Sequence, residues 1–191
     1  MTGLLDRDDS VLVVIDAQPG FVGKLESDRG DAVVGRVRWL VSLAGQLGVP
    51  VVVTEEEPDR NGPTHPDILA ALPDTALRHL KPQFGLAGCP PILASLAATG
   101  RRTAVLCGLE TDVCVAQSAI GLAAGEWRVV VVEDAVASPD TGHRQGLRRL
   151  RDEGIEVLGL KSVAYDWLRS FDLAARVLET PDLAAPPGIT L

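Results

Sequence analysis

Short β-branched runs alternate along the chain with longer stretches whose apolar residues recur at helical spacing. Val11-Leu12-Val13-Val14-Ile15 is continuously apolar, as a strand covered on both faces requires. Between Asp31 and Gly48, apolar residues fall at Val33, Val37, Leu40, Val41, Ala44 and Leu47, one face of a helix that Gly48-Val49-Pro50 stops. Further strands are predicted at 51–54, at 77–81 (short, at the sheet edge), at 103–108, at 129–132 and at 156–160. Helices are predicted at 90–99, from Thr111 or Asp112 as cap to 124, at about 139–152 and at 164–178. Residues 55–73, rich in Pro, Gly, Asp and Asn, read as loop with room for a helical turn.

Alternating strands and helices imply a three-layer α/β/α fold, a parallel sheet with helices on both faces and right-handed crossovers. Residues 1–191 read as one domain with its core in 10–178, and the Pro-rich tail 180–191 is expected to be loose or packed on a neighbour. In such sheets ligands sit beyond the carboxyl ends of the strands, where strand order reverses. The positions to inspect are therefore Asp16-Ala17-Gln18, Glu55-Glu56-Glu57, Lys81, the stretch from Gly108 to Cys114, and Glu133-Asp134.

Composition narrows the function classes. Eighteen Lys and Arg against 26 Asp and Glu leave a formal charge of −8, which argues against a nucleic-acid partner. No apolar run approaches the ~20 residues of a membrane span, and the opening Met1-Thr2-Gly3-Leu4-Leu5-Asp6 lacks the basic and apolar regions of a secretion signal. Three cysteines (Cys89, Cys107, Cys114), with no CxxC, suit reduced thiols and a cytoplasmic protein better than a disulfide framework. There is no GxGxxG and no P-loop, so no nucleotide cofactor is expected.

Cys114 lies in the first turn of the helix after the fourth strand. Unpaired amides and the helix dipole there favour a thiolate and can hold an oxyanion. Position alone leaves it open between a nucleophile and a small buried residue. Cys107, inside a strand, reads as packing. Asp16 ends the first strand, where a carboxylate needs a partner or a rim position; the alternative is a cap on the following turn. Lys81 alone reads as a surface lysine. Together, the three could supply nucleophile, proton shuttle and electrostatic partner. His65, His79 and His143 are dispersed, so a metal site on Asp16 and His65 is a minor alternative and no metal is expected. Glu55-Glu56-Glu57 reads as an exposed loop start, and Arg144, Arg148, Arg149 and Arg151 as a solvated helix face.

Three segments resemble the isochorismatase-like (cysteine hydrolase) superfamily. Asp16-Ala17-Gln18-Pro19-Gly20-Phe21 resembles its D-x-Q-x-x-F opening, and the stretch from Gly108 to Val115 its G-[LIV]-x-T-x-x-C-V nucleophile segment. Lys81-Pro82-Gln83-Phe84 is similar to its lysine motif, although Gly85-Leu86-Ala87 replaces the usual continuation. The resemblance covers roughly residues 10–178 and implies a six-stranded sheet of order 3-2-1-4-5-6 with a Cys114–Asp16–Lys81 triad. It further implies a cis peptide before Glu110 and an oxyanion hole from the Glu110 and Cys114 amides. Gln18, Phe21 and Phe84 are then the expected substrate contacts. The paired histidines of nicotinamidases are missing after the second strand, and isochorismatase proper lacks the cysteine, so both activities are disfavoured. The expectation is a metal-independent cysteine hydrolase acting on an amide-like C–N bond of a small molecule, as a homodimer or larger homo-oligomer. Trp127, Trp167 and Phe171 are its candidate interface aromatics. The alternatives are a non-catalytic binding or scaffold protein of the same fold, or a nicotinamidase-like or isochorismatase-like activity on a different small metabolite.

Overall fold

The structure is a computed structural model that describes residues 3–186 and 188–191. In chain order its elements are β1 (Ser10–Ile15), α1 (Pro19–Val22), α2 (Ser27–Leu47), β2 (Val51–Glu55), α3 (Pro58–Asn61), α4 (Pro66–Leu69), β3 (Leu77–Leu80) and α5 (Pro90–Ala98). There follow β4 (Thr103–Leu109), a π-helical turn (Thr111–Val115), α6 (Ala116–Ala124), β5 (Arg128–Ala137), α7 (Gly142–Asp152), β6 (Glu156–Leu158), α8 (Leu160–Leu168) and α9 (Phe171–Leu178). All strand pairs are parallel, and the order is β3-β2-β1-β4-β5-β6. This is the sheet that the alternating pattern and the family resemblance anticipate.

Strand side chains divide between two cores because successive residues point to opposite faces. Leu12, Val14, Val105, Cys107, Val130 and Val132 pack with α2 and α8 on one side. Val11, Val13, Ile15, Ala104, Leu106, Val129 and Val131 pack with α5, α6 and α7 on the other. β1 and β4 lie side by side at the centre, with Ile15 opposite Gly108. A Cβ at Gly108, whose φ is 111°, would stand 2.0 Å from the Ile15 carbonyl oxygen, so only glycine lets the two strand ends close up. The register of β4 on β5 shifts there, and Val136 and Ala137 resume the pairing opposite Gly108 and Leu109. β5 therefore runs five residues past the apolar run predicted for it, through Glu133-Asp134, which a hydropathy pattern cannot extend as strand.

Four expectations are corrected. The final helix is two helices, because Arg169 adopts φ 62° and Ser170 starts a new one by accepting from Leu173 N at 3.3 Å. The Cys114 segment is capped by Glu110, one residue before the expected cap, and opens as a π turn rather than an α-helix. The tail packs on its own subunit: Leu183 is buried, and its carbonyl accepts the Trp39 indole N–H at 3.1 Å. Trp167, offered above as an interface aromatic, is fully buried and donates to Ser10 Oγ at 3.1 Å. Among the described residues, no helix is long and apolar enough to cross a membrane.

Candidate active site

The crevice lies beyond β1, β2, β3 and β4, where strand order reverses. Asp16 turns the chain out of β1 with φ 45°, a left-handed conformation that aspartate tolerates better than most residues. Its N–H donates to Thr54 O at 3.1 Å, and its carboxylate is fully buried, with Oδ1 accepting from Thr54 Oγ1 at 2.8 Å. Oδ2 faces Lys81 Nζ at 2.9 Å. Lys81 follows β3 directly and prolongs its pairing, its N–H donating to Glu55 O at 2.8 Å. That anchors a buried ammonium whose other contacts are Gln83 O at 2.7 Å, Glu56 Oε2 at 3.2 Å and Cys114 Sγ at 3.8 Å.

Cys114 sits in the π turn, where the Val115 N–H reaches back five residues to Glu110 O at 3.1 Å. Such turns often accompany functional sites. The Leu109–Glu110 peptide before it is cis. Ser118 Oγ donates to Cys114 O at 2.6 Å and accepts from Leu86 N at 3.2 Å, tying the Cys114 turn to the loop after Lys81. On the opposite side Thr111 Oγ1 lies 3.0 Å from His143 Nδ1, and Asp112 accepts from Ser138 Oγ at 2.6 Å.

The sequence places Asp16, Lys81 and Cys114 at three strand ends, and the structure brings them together. It also brings in Glu56. Its Oε2 lies 3.3 Å from Cys114 Sγ, and one ligand-type atom each of Asp16, Glu56 and Cys114 falls within 4.8 Å of the others. The expectation of an exposed acidic run is thus corrected. Glu55 is buried, accepting from Thr64 N, Thr64 Oγ1 and Arg78 Nη2 at 2.7–3.0 Å. Only Glu57 of the three is exposed. The signal available was position, since the run follows a strand beside the reversal point.

Gln18 is corrected as well. Its amide donates to Glu56 O and Gly62 O and accepts from Glu56 N at 2.7 Å, so both of its N–H groups are committed to backbone and the side chain, fully buried, fixes the Glu56 backbone. Phe21 is buried in the core beneath α2, with Lys24 Nζ 4.5 Å above its ring. Phe84 is 53% exposed and lines a cleft of about 950 Å³, together with Glu56, Glu57, Arg60, Lys81 and Gln117. His65 lies outside the acidic group, its Nδ1 accepting from Asp67 N at 3.3 Å to cap α4.

Burial dominates the electrostatics. It pushes the Cys114 thiol up, the Asp16 and Glu56 charges add to this, and Lys81 opposes it. The expectation from position, that amides and the helix dipole favour a thiolate, is outweighed here by burial. Burial also raises Asp16, against the opposing pull of Lys81 and the Thr54 hydroxyl. Lys81 is held above the usual lysine range: burial lowers it, but Asp16, Cys114 and Glu56 together outweigh burial.

The isochorismatase domain model matches residues 10–162. The chain belongs to the isochorismatase-domain family. It is 32% identical over 167 residues to the secreted isochorismatase effector Isc1 of Phytophthora sojae, covering 85% of this chain and 79% of that one. Its fold is similar to that of the YcaC gene product of Escherichia coli, described as an octameric hydrolase of unknown specificity: TM-score 0.84, 23% identity, 93% and 90% of the two chains. It is also similar to the MAR1 ribonuclease of Caenorhabditis elegans, with TM-score 0.83, 24% identity, and 99% and 100% coverage.

Proposed function

We propose that residues 1–191 form one metal-independent cysteine hydrolase domain, which cleaves a small amide-like C–N bond through a thioester on Cys114. The observation that carries this is Lys81, whose buried ammonium stands 2.9 Å from Asp16 and 3.8 Å from Cys114 at the base of an open cleft. Family membership supports a hydrolase, and YcaC bears that name.

As Cys114 Sγ bonds to the substrate carbonyl carbon, its proton passes to the Asp16 carboxylate. Burial makes Asp16 a stronger base, while Lys81 keeps it ionised. The carbonyl oxygen becomes an oxyanion held by the Glu110 and Cys114 N–H groups. Collapse breaks the C–N bond, and the amine leaves with the proton from Asp16. Water, deprotonated by Asp16, then cleaves the thioester and frees the acid and the thiol. The ammonium already supplies the positive charge among Asp16, Glu56 and Cys114, which removes the need for a metal between them.

The ribonuclease name of MAR1 does not carry over: a net charge of −8 and carboxylates on the cleft wall oppose a phosphodiester. Oligomeric assembly is part of the proposal, supported by the octamer of YcaC and by exposed Leu77, Leu80 and Phe171. The mechanism is tested by acid-quenching the protein with excess enzyme over a small amide and weighing it intact. An acyl adduct released by hydroxylamine, present in the wild type and missing in Cys114→Ala, is expected. Hydrolysis with no adduct at any quench time would refute the thioester.

A further inference from the structure

We propose that Glu56 is a charge filter on the cleft: substrates with a neutral or cationic nitrogen donor near the scissile carbonyl are admitted, and carboxylate-bearing ones are rejected. The proposal rests on the reading of Cys114 as nucleophile and names the substrate class that the site takes.

Four ionisable side chains line the cleft: Glu56, Glu57, Arg60 and Lys81. Arg60 faces Glu57 at 3.5 Å, and both are well exposed. Lys81 is matched by the wholly buried Asp16 at 2.9 Å. Glu56 Oε2 shares that same ammonium at 3.2 Å, so two carboxylates face one cation, and Glu56 is the member of this net negative group that lines the cleft. Its side chain is 17% exposed, so it both touches the nucleophile, at 3.3 Å, and meets whatever enters. It is also held in place, because Gln18 binds both its backbone N–H and its carbonyl, and Asn61 Nδ2 donates to the same carbonyl at 2.9 Å.

A group on the carbon that Cys114 attacks must stand beside Sγ, and therefore beside Glu56 Oε2. An N–H there finds an acceptor at hydrogen-bond distance. A carboxylate there meets a like charge in a partly desolvated setting, where repulsion is weakly screened.

Alkylation of Cys114 reads the filter without requiring turnover. In this reaction Sγ bonds to the reagent's methylene carbon, the C–I bond breaks, iodide leaves with the electron pair, and the thiol proton goes to Asp16 or solvent. Iodoacetamide and iodoacetate differ in charge at similar size, and peptide mass spectrometry follows Cys114 separately from Cys89 and Cys107. The wild type should favour iodoacetamide, and Glu56→Gln should narrow that ratio by roughly tenfold. Glu57→Gln should leave it at the wild-type value. An unchanged ratio in Glu56→Gln, an equal narrowing in Glu57→Gln, or a Cys114 that neither reagent reaches would overturn the proposal. The wild type gives a second reading independent of any variant: succinamide should be hydrolysed with a higher kcat/KM than succinamate, and the reverse order would also overturn it. If neither amide is cleaved while the alkylation ratio behaves as stated, the hydrolase reading fails and the filter stands.

Discussion

At the residue scale the site is governed by how little water reaches it. Burial and two flanking carboxylates push the Cys114 thiol up, so the proposed chemistry calls for an ionised Asp16 to take its proton. Burial raises Asp16 above the ordinary 3.8, which places the acid limb of kcat/KM above that value, with activity lost as pH falls through it. A pH–rate profile that stays flat down to the ordinary aspartate range would contradict this. Asp16, Lys81 and Cys114 were legible as candidates because two directly follow strands and the third lies in the first turn after one, in a fold whose ligands gather there. Glu56 was not, since a run of three glutamates reads as solvated. Nor was the task of Gln18, because its three partners lie 38 and 44 residues away. Side-chain amides carry no sequence mark that separates a backbone clamp from a substrate contact.

At the scale of elements, the turns beyond β1, β2 and β4 do the positioning. The loop after β2 is pinned by Glu55, which partial burial would raise but which Thr64 and Arg78 hold below 4.5. A depressed carboxyl stabilises the fold above its unfolded value and loses that contribution as pH falls through the depressed one. Glu55→Gln should therefore cost about 1–3 kcal/mol at neutral pH, and the deficit relative to wild type should shrink in acid. Urea midpoints at several pH values check this, and a deficit independent of pH would contradict it. Gly108→Ala should cost about 2 kcal/mol or more, because φ 111° and the 2.0 Å approach to Ile15 O both exclude a Cβ; a midpoint equal to wild type would contradict the close approach. Strand runs and helix faces were readable from periodicity. The break at Arg169 and the long β5 were not, since a left-handed residue and a register shift are imposed by distant packing.

For the molecule as a whole, two faces of one sheet carry separate cores, and the tail closes the first of them over Trp39. The Pro-rich composition of that tail pointed outward; a single buried leucine and an indole hydrogen bond across 144 residues decide otherwise. Light scattering at micromolar concentration should give a multiple of 20.2 kDa, the apolar Leu80 and Phe171 being 66% and 95% exposed in one copy. A mass of one chain would remove the assembly claim and leave the chemistry, whose residues all lie within one chain. The proposed joint action of Cys114 and Asp16 on a C–N bond is checked by ammonia release from a panel of small neutral amides and ureas, comparing wild type with Cys114→Ala and Asp16→Asn at matched circular dichroism. Release by the wild type and a loss of at least about a hundredfold in each variant are expected. A folded variant that keeps more than about a hundredth of the wild-type rate would contradict it.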